Sequence, residues 1–179
     1  MEIKKENSMI MKIENSTGQD VEEIFRLYKI ATDFQKTKFI VHWPEFDKKL
    51  IETEIAEKRQ WKIVIDHKIA CIWATTFDDP QIWEDRNADP AVYIHRIATN
   101  PEFRGNNLVG HLVKNVVVYA SANKKKFIRM DTVGHNPGLI TYYTKCGFDF
   151  LGLSKLKNTT GLPAHYNNAT VSLFQMEVG

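Results

Sequence analysis

The sequence predicts an α+β fold, in which a mixed, mostly antiparallel sheet is flanked by helices. Two observations carry this prediction. Strand-like and helix-like segments follow one another in the order β-α-α-β-β-β-α-β-α-β-β. In addition, a tight polar loop at residues 100–107 connects a strand directly to an apolar helix. The 179 residues are most simply one domain at residues 9–179, preceded by a flexible extension at residues 1–8.

The first half of the chain supplies three strands and two helices. Residues 9–13 are predicted as the first strand, and Ser16 or Thr17 as the cap of the helix that follows. Pro44 suits the first position of a second helix, which is predicted to end near residue 59. The hairpin strands are residues 61–66 and 69–77, and an acidic loop follows at residues 78–90.

The second half alternates strands with helices and closes with two strands. Its predicted elements are a strand at residues 93–98, a helix at 108–123, a strand at 127–132, a helix from 136, and an antiparallel pair at 148–156 and 170–177. The connection between the last two strands includes a loop at residues 159–168. These spacings complete the predicted sheet.

Composition excludes several classes of function. The net charge of +2 is too small to argue for a nucleic-acid or membrane partner. No apolar run approaches the roughly 20 residues of a membrane span, and the charged N-terminal segment lacks the apolar core of a signal peptide. Cys71 and Cys146 are far apart, and the histidines show no ligand spacing, so neither a disulfide nor a metal site is predicted. A cytoplasmic location fits these features.

The polar loop at residues 100–107 predicts an anion site. It opens into a helix whose apolar stripe includes Leu108, Leu112 and Val116. The first backbone N–H groups of a helix lack intrahelical acceptors, and the helix dipole makes that end mildly positive. A phosphate group is therefore a natural ligand, and Arg104 adds a full charge with several donors.

At this loop the chain resembles the GNAT family of acetyl-CoA-dependent N-acetyltransferases. The family carries a loop of the form Gln/Arg-x-x-Gly-x-Gly/Ala, whose backbone amides hold the pyrophosphate of acetyl-CoA. Arg104 occupies the first motif position, whereas Asn107 and Val109 replace the two small residues. Asn tolerates left-handed backbone angles, but Val109 adds a β-branched side chain. Gly105 and Gly110 flank these positions and restore some room.

A second segment, residues 136–148, is similar to the late helix and turn of the same family, written N…(F/Y)Y-x-K-x-G-F. Asn136 suits the N-cap, Pro137 the first helical position, and Gly147 the left-handed residue that ends a helix. The two motifs occur in the family order, with one helix and one strand between them. The resemblance covers residues 9–178.

The resemblance implies direct transfer of an acetyl group from acetyl-CoA, as co-substrate, to an amine, without a metal. It implies that the strand before the loop binds the pantetheine arm through its backbone. The residues implied in cofactor binding are Ile97, Ala98, Thr99, Arg104, Gly105, Asn106, Asn107, Leu108, Val109, Gly110, Asn136 and Tyr143. Dimers are common among relatives, so the resemblance also allows a homodimer.

Two side chains are predicted to act in catalysis. Tyr143 occupies the family position of the general acid near the sulfur of CoA, with Tyr142 as its competitor. His95 aligns with a glutamate that many members use as a base, and a pKa near 6.5 would suit that task. Glu84, Asp85, Asp131 or water alone remain alternatives for the base. Strand alternation predicts one face with Tyr93, His95 and Ile97 and another with Val92, Ile94 and Arg96.

The acceptor site is less determined by the sequence. The acidic stretch at residues 78–89 would attract a cationic amine, and Trp83 could stack on it. The same stretch is equally compatible with a solvated loop. The residues predicted to contact the acceptor are Trp43, Trp83, Tyr93 and His95.

The resulting hypothesis is an acetyl-CoA-dependent N-acetyltransferase that acts on a primary amine of a small molecule, peptide or protein. The alternative is a non-catalytic acyl-CoA-binding or regulatory module of the same fold. Asn107 and Val109 favour the alternative, because they change the pyrophosphate loop, whereas Tyr143 and the Asn136 helix favour the enzyme.

Overall fold

One mixed sheet of seven strands organises the protein. The computed structural model describes residues 9–179, so the predicted extension at residues 1–8 lies outside the described residues. The strands are β1 (Met11–Asn15), β2 (Gln60–Ile65), β3 (Lys68–Thr76), β4 (Ala91–Thr99), β5 (Phe127–Val133), β6 (Asp149–Lys155) and β7 (Thr170–Glu177). Their spatial order is β1-β2-β3-β4-β5-β7-β6. Neighbours are antiparallel except β4 and β5, which confirms the predicted fold class.

Within the described residues, five α-helices accompany the sheet: α1 (Val21–Lys38), α2 (Lys48–Ala56), α3 (Pro80–Trp83), α4 (Leu108–Ala122) and α5 (Pro137–Lys145). The start of α5 matches the prediction, because Asn136 Oδ1 accepts a hydrogen bond from the Leu139 N–H at 3.1 Å and Pro137 follows it. Gly147, with φ of +101°, ends the segment as predicted. Within residues 9–179, no helix is both long and apolar enough to cross a membrane.

Two elements differ from the prediction. The second helix begins at Lys48 rather than at Pro44, because the Asp47 carboxylate accepts the Lys49 N–H at 2.9 Å and caps the helix there. The acidic loop contains the short helix α3 and a 3-10 turn at Glu84–Ala88. This compact segment buries Ile82 and Trp83 against the sheet, so it is not a simple solvated loop.

The helices cover the sheet on both faces. Helix α4 packs Leu112 and Val116 into the largest apolar cluster, where they meet Trp73 and Phe174. Helices α1 and α2 pack a second cluster around Leu27 and other buried side chains. Burial of this kind is worth about 25 cal/mol per Å² of apolar surface, so these two clusters fix the helices that border the site.

Candidate active site

The strands β4 and β5 separate within the sheet. They pair in parallel only from Ala91↔Phe127 to Tyr93↔Arg129. Beyond that point β4 continues to pair with β3 and β5 continues to pair with β7, up to Val133↔Val171. The facing edges of β4 and β5 therefore have free backbone groups over about half their length, and a cleft of about 1870 Å³ opens between them.

A β-bulge in β4 shapes one wall of this cleft. Ala74 pairs with His95, but Ile72 pairs with Ala98, so β4 has one residue more than β3 in this interval. Arg96 takes a left-handed φ of +49° at the bulge. Because of the bulge, side chains no longer alternate strictly between the two faces of β4. The Arg96 side chain lies on the face covered by α1 and α2, where it pairs with Glu54, and not on the face of Val92 and Ile94 as predicted.

Beyond the bulge, Ile97, Ala98 and Thr99 line the cleft with their free backbone edge. Arg104 and Asn136 line it further along, on the loop before α4 and at the start of α5. The structure thus brings these five predicted cofactor contacts to one cleft, whereas the predicted contacts at residues 105–110 lie beyond its lining, at the amino end of α4.

The amino end of α4 has the properties expected of an anion site. No side chain among the described residues caps this helix, so its first N–H groups stay free to bind a ligand. Asn107 adopts the left-handed conformation, with φ of +50° and ψ of +42°. Val109 is 6% exposed and packs into the core, so its β-branched side chain points away from the free N–H groups. Leu108 is buried in the same cluster.

Two glycines complete the loop. Gly105 has φ of +85°, a conformation that favours glycine. A Cβ on Gly110 would lie 2.5 Å from the Asn107 side-chain amide, so the space that Asn107 fills exists because Gly110 has no side chain. The two departures from the family loop are accommodated by neighbours within three residues.

Tyr143 faces the cleft from α5. Its ring packs against Phe148 and Phe174, and it is 9% exposed. Burial, followed by the neighbouring Tyr142, raises the pKa of Tyr143 well above its usual value. A phenol in this setting stays protonated and can donate a hydrogen bond at any physiological pH.

His95 lies where β4 and β5 begin to separate. Its Nε2 is 3.1 Å from Thr76 Oγ1 and 3.9 Å from Asp79 Oδ2. Burial, together with Arg96 and Arg59, lowers the pKa of His95 to about 3. The expected pKa near 6.5 is therefore corrected: His95 is neutral throughout the physiological range, and desolvation is the main cause.

Two carboxyl groups flank His95. Asp79 precedes α3, and Asp131 lies on β5, two residues beyond its last pair with β4. Burial raises the pKa of Asp79 to about 8, with a further contribution from the charge of Asp131. Burial also raises the pKa of Asp131 to about 6, although the Tyr166 hydroxyl donates to Asp131 Oδ2 at 2.9 Å. At neutral pH Asp131 is therefore mostly ionised and can accept a proton, whereas Asp79 is mostly protonated.

Comparison with known proteins settles the family. The model of the Acetyltransferase (GNAT) family matches residues 21–148, which is more than half of the chain. The chain belongs to the GNAT family. The uncharacterized N-acetyltransferase YesJ of Bacillus subtilis (strain 168) is 27% identical over 74 residues, which are 41% of this chain and 41% of that protein.

Solved GNAT structures share the fold. A GNAT acetyltransferase from Listeria monocytogenes 4b F2365 has a TM-score of 0.74 at 22% identity, covering 95% of this chain and 99% of the other. The protein yncA of Salmonella typhimurium, solved with its cofactor acetyl-CoA, has a TM-score of 0.66 at 12% identity and covers 95% of each chain. At these identities the likeness establishes the fold.

The predicted acceptor residues of this GNAT chain lie in different environments. Trp43 is in the cleft wall, in edge contact with Phe46 at 5.8 Å. Trp83 and Tyr93 are 2% and 0% exposed and pack around Arg129, outside the cleft wall formed by the described residues. Their predicted contact with an acceptor is therefore corrected to a core role, because the α3 segment folds onto the sheet.

The residues that were alternatives to His95 as the base differ in their position relative to the cleft. Glu84 and Asp85 are exposed on the 3-10 turn and lie outside the described cleft wall, whereas Asp131 is inside it. Sequence analysis did not single out Asp79 or Tyr166. In the sequence, Asp79 stands directly before Pro80 at a helix start, a pattern that predicts only a local turn. Such a pattern cannot reveal that Asp79 faces another strand.

Proposed function

We propose that this chain is an acetyl-CoA-dependent N-acetyltransferase that transfers the acetyl group directly to a primary amine. The observation that carries the proposal is the separation of β4 from β5, because the free edge of β4 leads along the cleft to Arg104, on the loop that opens into the uncapped end of α4. An extended, amide-containing arm can pair with such an edge, and a pyrophosphate can bind the helix end.

The residues present fit acetyl-CoA. The backbone of Ile97, Ala98 and Thr99 would hold the pantetheine arm, while Arg104 and the N–H groups from Gly105 to Gly110 would hold the pyrophosphate. The amide of Asn136 keeps its N–H groups available, because its Oδ1 caps α5. When bound, the thioester supplies an activated acetyl group.

The protein's own residues would then manage two protons. The amine must lose one proton before it can attack, and Asp131, with a pKa of about 6, is the carboxylate that is mostly ionised at neutral pH and can accept it. Asp79, with a pKa of about 8, is mostly protonated there and accepts a proton only at higher pH. As the C–N bond forms and the C–S bond breaks, the departing sulfur needs a proton, which Tyr143 can donate and regain from the acylated nitrogen. The net reaction converts the ammonium ion and thioester to an amide, a free thiol and one proton.

The non-catalytic alternative is weakened by the loop geometry, since Asn107 and Val109 leave the helix end free. Calorimetric titration with acetyl-CoA, CoA and dephospho-CoA tests cofactor binding. A screen of amines with detection of free thiol then tests transfer. Micromolar binding with amine-dependent thiol release would support the enzyme. Binding without release across the amines would favour the non-catalytic module, and no binding at millimolar ligand would refute both.

A further inference from the structure

Asp79, His95 and Asp131 form a cluster at the point where β4 and β5 separate. One ligand atom from each residue lies within 4.8 Å of the other two. The three residues come from different elements: the β3–β4 connection, β4 and β5. Tyr166, from the β6–β7 connection, adds its hydrogen bond to Asp131. Four separate segments thus converge on one small volume inside the cleft.

Asp79 gives this cluster an unsatisfied acceptor. The residue is 9% exposed, and its Oδ2 has no hydrogen-bond partner among residues 9–179. Leaving a buried polar group without a partner costs about 1–3 kcal/mol, and more when the group is charged. Asp79 lines the cleft, although its Oδ2 is itself covered by neighbouring side chains. Buried carboxyl groups are normally paired, so this Oδ2 indicates a hydrogen-bond donor, such as a cationic ligand, that reaches it when those side chains move.

The spacing of the acceptors favours an ammonium group over a metal ion. Hydrogen bonds of about 2.8 Å from a tetrahedral ammonium would place its acceptors about 4.6 Å apart. Zinc bonds of about 2.0–2.1 Å would bring the same atoms to about 3.4 Å. The distance between Asp79 Oδ2 and His95 Nε2 is 3.9 Å, between these two values, and all three ligand atoms lie within 4.8 Å of one another. This range includes the spacing around an ammonium group, and the distance between Asp79 and His95 exceeds the spacing around zinc.

The charges around the cluster favour a single positive charge on the ligand. Arg96 and Arg59 line the same cleft, and both lie near the buried carboxylate of Glu54. Together with Glu54 they leave one net positive charge, which opposes a second ammonium group close to the cluster. The other two acids of this wall, Glu45 and Asp47, are exposed. The arginines also act on the histidines, because Arg96 contributes to the lowered pKa of both His95 and His165.

One part of the cleft wall, next to the cluster, is aromatic and apolar. The ring centroid of Phe46 lies 5.8 Å from that of Trp43 and 6.5 Å from that of His165. The rings of His165 and Tyr166 form a tilted pair with centroids 4.1 Å apart. The apolar side chains of Ile82 and Leu162 line the same cleft as Asp79 and Tyr166. An apolar body next to the ammonium would bury surface here, at about 25 cal/mol per Å².

We propose that the acceptor is a monocationic primary amine with an apolar alkyl or arylalkyl body, whose ammonium group binds between Asp79 and Asp131. This inference rests on the proposed transferase function and specifies its substrate class. Dicationic and zwitterionic amines are poorer acceptors, since they place a second charge against the aromatic wall and the two arginines.

Three amines that share a six-carbon chain provide a matched test: hexylamine, 1,6-diaminohexane and 6-aminohexanoate. The expected kcat/KM for hexylamine is at least tenfold above that of the other two. Asp79→Asn should lower the hexylamine kcat/KM at least tenfold and leave CoA affinity unchanged. The control is Asp78→Asn, which removes the exposed neighbouring carboxyl and should retain wild-type kinetics.

Binding is measured separately, by titrating hexylamine into the CoA-loaded protein and by titrating Zn²⁺ into the free protein. Hexylamine binding that weakens at least tenfold in both Asp79→Asn and Asp131→Asn supports the site. If the same protein releases no thiol, that result refutes the proposed transferase function and leaves the ammonium site supported. Thiol release with equal or better use of the dication overturns the inference and leaves the transferase intact. Submicromolar Zn²⁺ binding that Asp79→Asn abolishes would also overturn it, and so would wild-type kinetics in a folded Asp79→Asn protein.

Discussion

The side-chain amide of Asn107 occupies the space that a Cβ on Gly110 would need, at a distance of 2.5 Å. Asn107 itself is left-handed, and it stands where the family loop has its first glycine. The two residues therefore compensate each other: the glycine that is lost at one position is matched by a glycine three positions later. This arrangement keeps the first turn of α4 available to an anion.

Gly110→Ala should weaken acetyl-CoA binding about tenfold, because the new methyl group displaces the Asn107 side chain toward the free N–H groups. Calorimetry with acetyl-CoA measures the change. Gly18→Ala is the control, since a Cβ there has no atom within 4 Å. The double variant Asn107→Gly with Gly110→Ala should regain most of the affinity. Full affinity in the single variant would show that Asn107 moves freely and does not shape the site.

Tyr143→Phe should lower kcat by about 10²-fold, a typical contribution of one general acid, and leave the KM for acetyl-CoA within about twofold. The ring contacts with Phe148 and Phe174 persist in the variant, so thermal stability should hardly change. Steady-state assays of thiol release check this. Tyr142→Phe, on the exposed neighbour, is the matched control. Equal losses in both variants would argue against a specific role for Tyr143.

The free protein should lose stability as the pH rises from about 6.5 to 8. The pKa of Asp79 is about 8 in the folded protein and has its ordinary value of 3.8 in the unfolded chain, so unfolding releases a proton in this window and stability falls as the pH rises. His95, whose pKa is lowered, makes the protein more stable with rising pH, but only below the usual histidine pKa of 6.5. Asp131 lowers the stability with rising pH mainly below pH 6. The expected loss is about 1.5 kcal/mol.

Thermal unfolding across this pH range measures the loss, which corresponds to about 4 °C for a chain of this size. Asp79→Asn should flatten the pH dependence, since its amide has no proton to release. The exposed Asp78→Asn should leave the dependence as it is in the wild type. A pH dependence that persists in Asp79→Asn would assign it to another group.

Arg96→Met should destabilise the fold by about 3–5 kcal/mol, because it leaves the buried Glu54 carboxylate without its main partner. Denaturant unfolding measures this cost. Arg26→Met breaks the exposed pair with Glu23 and should cost less than about 1 kcal/mol. Adding Glu54→Leu to Arg96→Met should recover stability, whereas a further loss would mean that packing rather than charge determines the effect.

The sequence was most informative where a few neighbouring residues decide the local structure. Asn136, Pro137 and Gly147 predicted both ends of α5, because capping and left-handed stop signals act within one helical turn. It was less informative at α2, where Pro44 and Asp47 both suit a helix start and the capping hydrogen bond of Asp47 decided between them. It was wrong about the faces of β4 beyond His95, since a bulge depends on the partner strand.

By itself the sequence determined the order of elements, the polar loop that opens into α4 and the position of Tyr143 on α5. All three follow from periodicity, capping and a short motif. Only the tertiary structure decided that β4 and β5 separate, that Arg96 leaves its predicted face, and that Asp79 and Asp131 meet beside His95. Asp79, His95 and Asp131 are 16 to 52 positions apart along the chain, and no local rule relates them. The raised pKa values of the two aspartates exist because the fold removes them from water together.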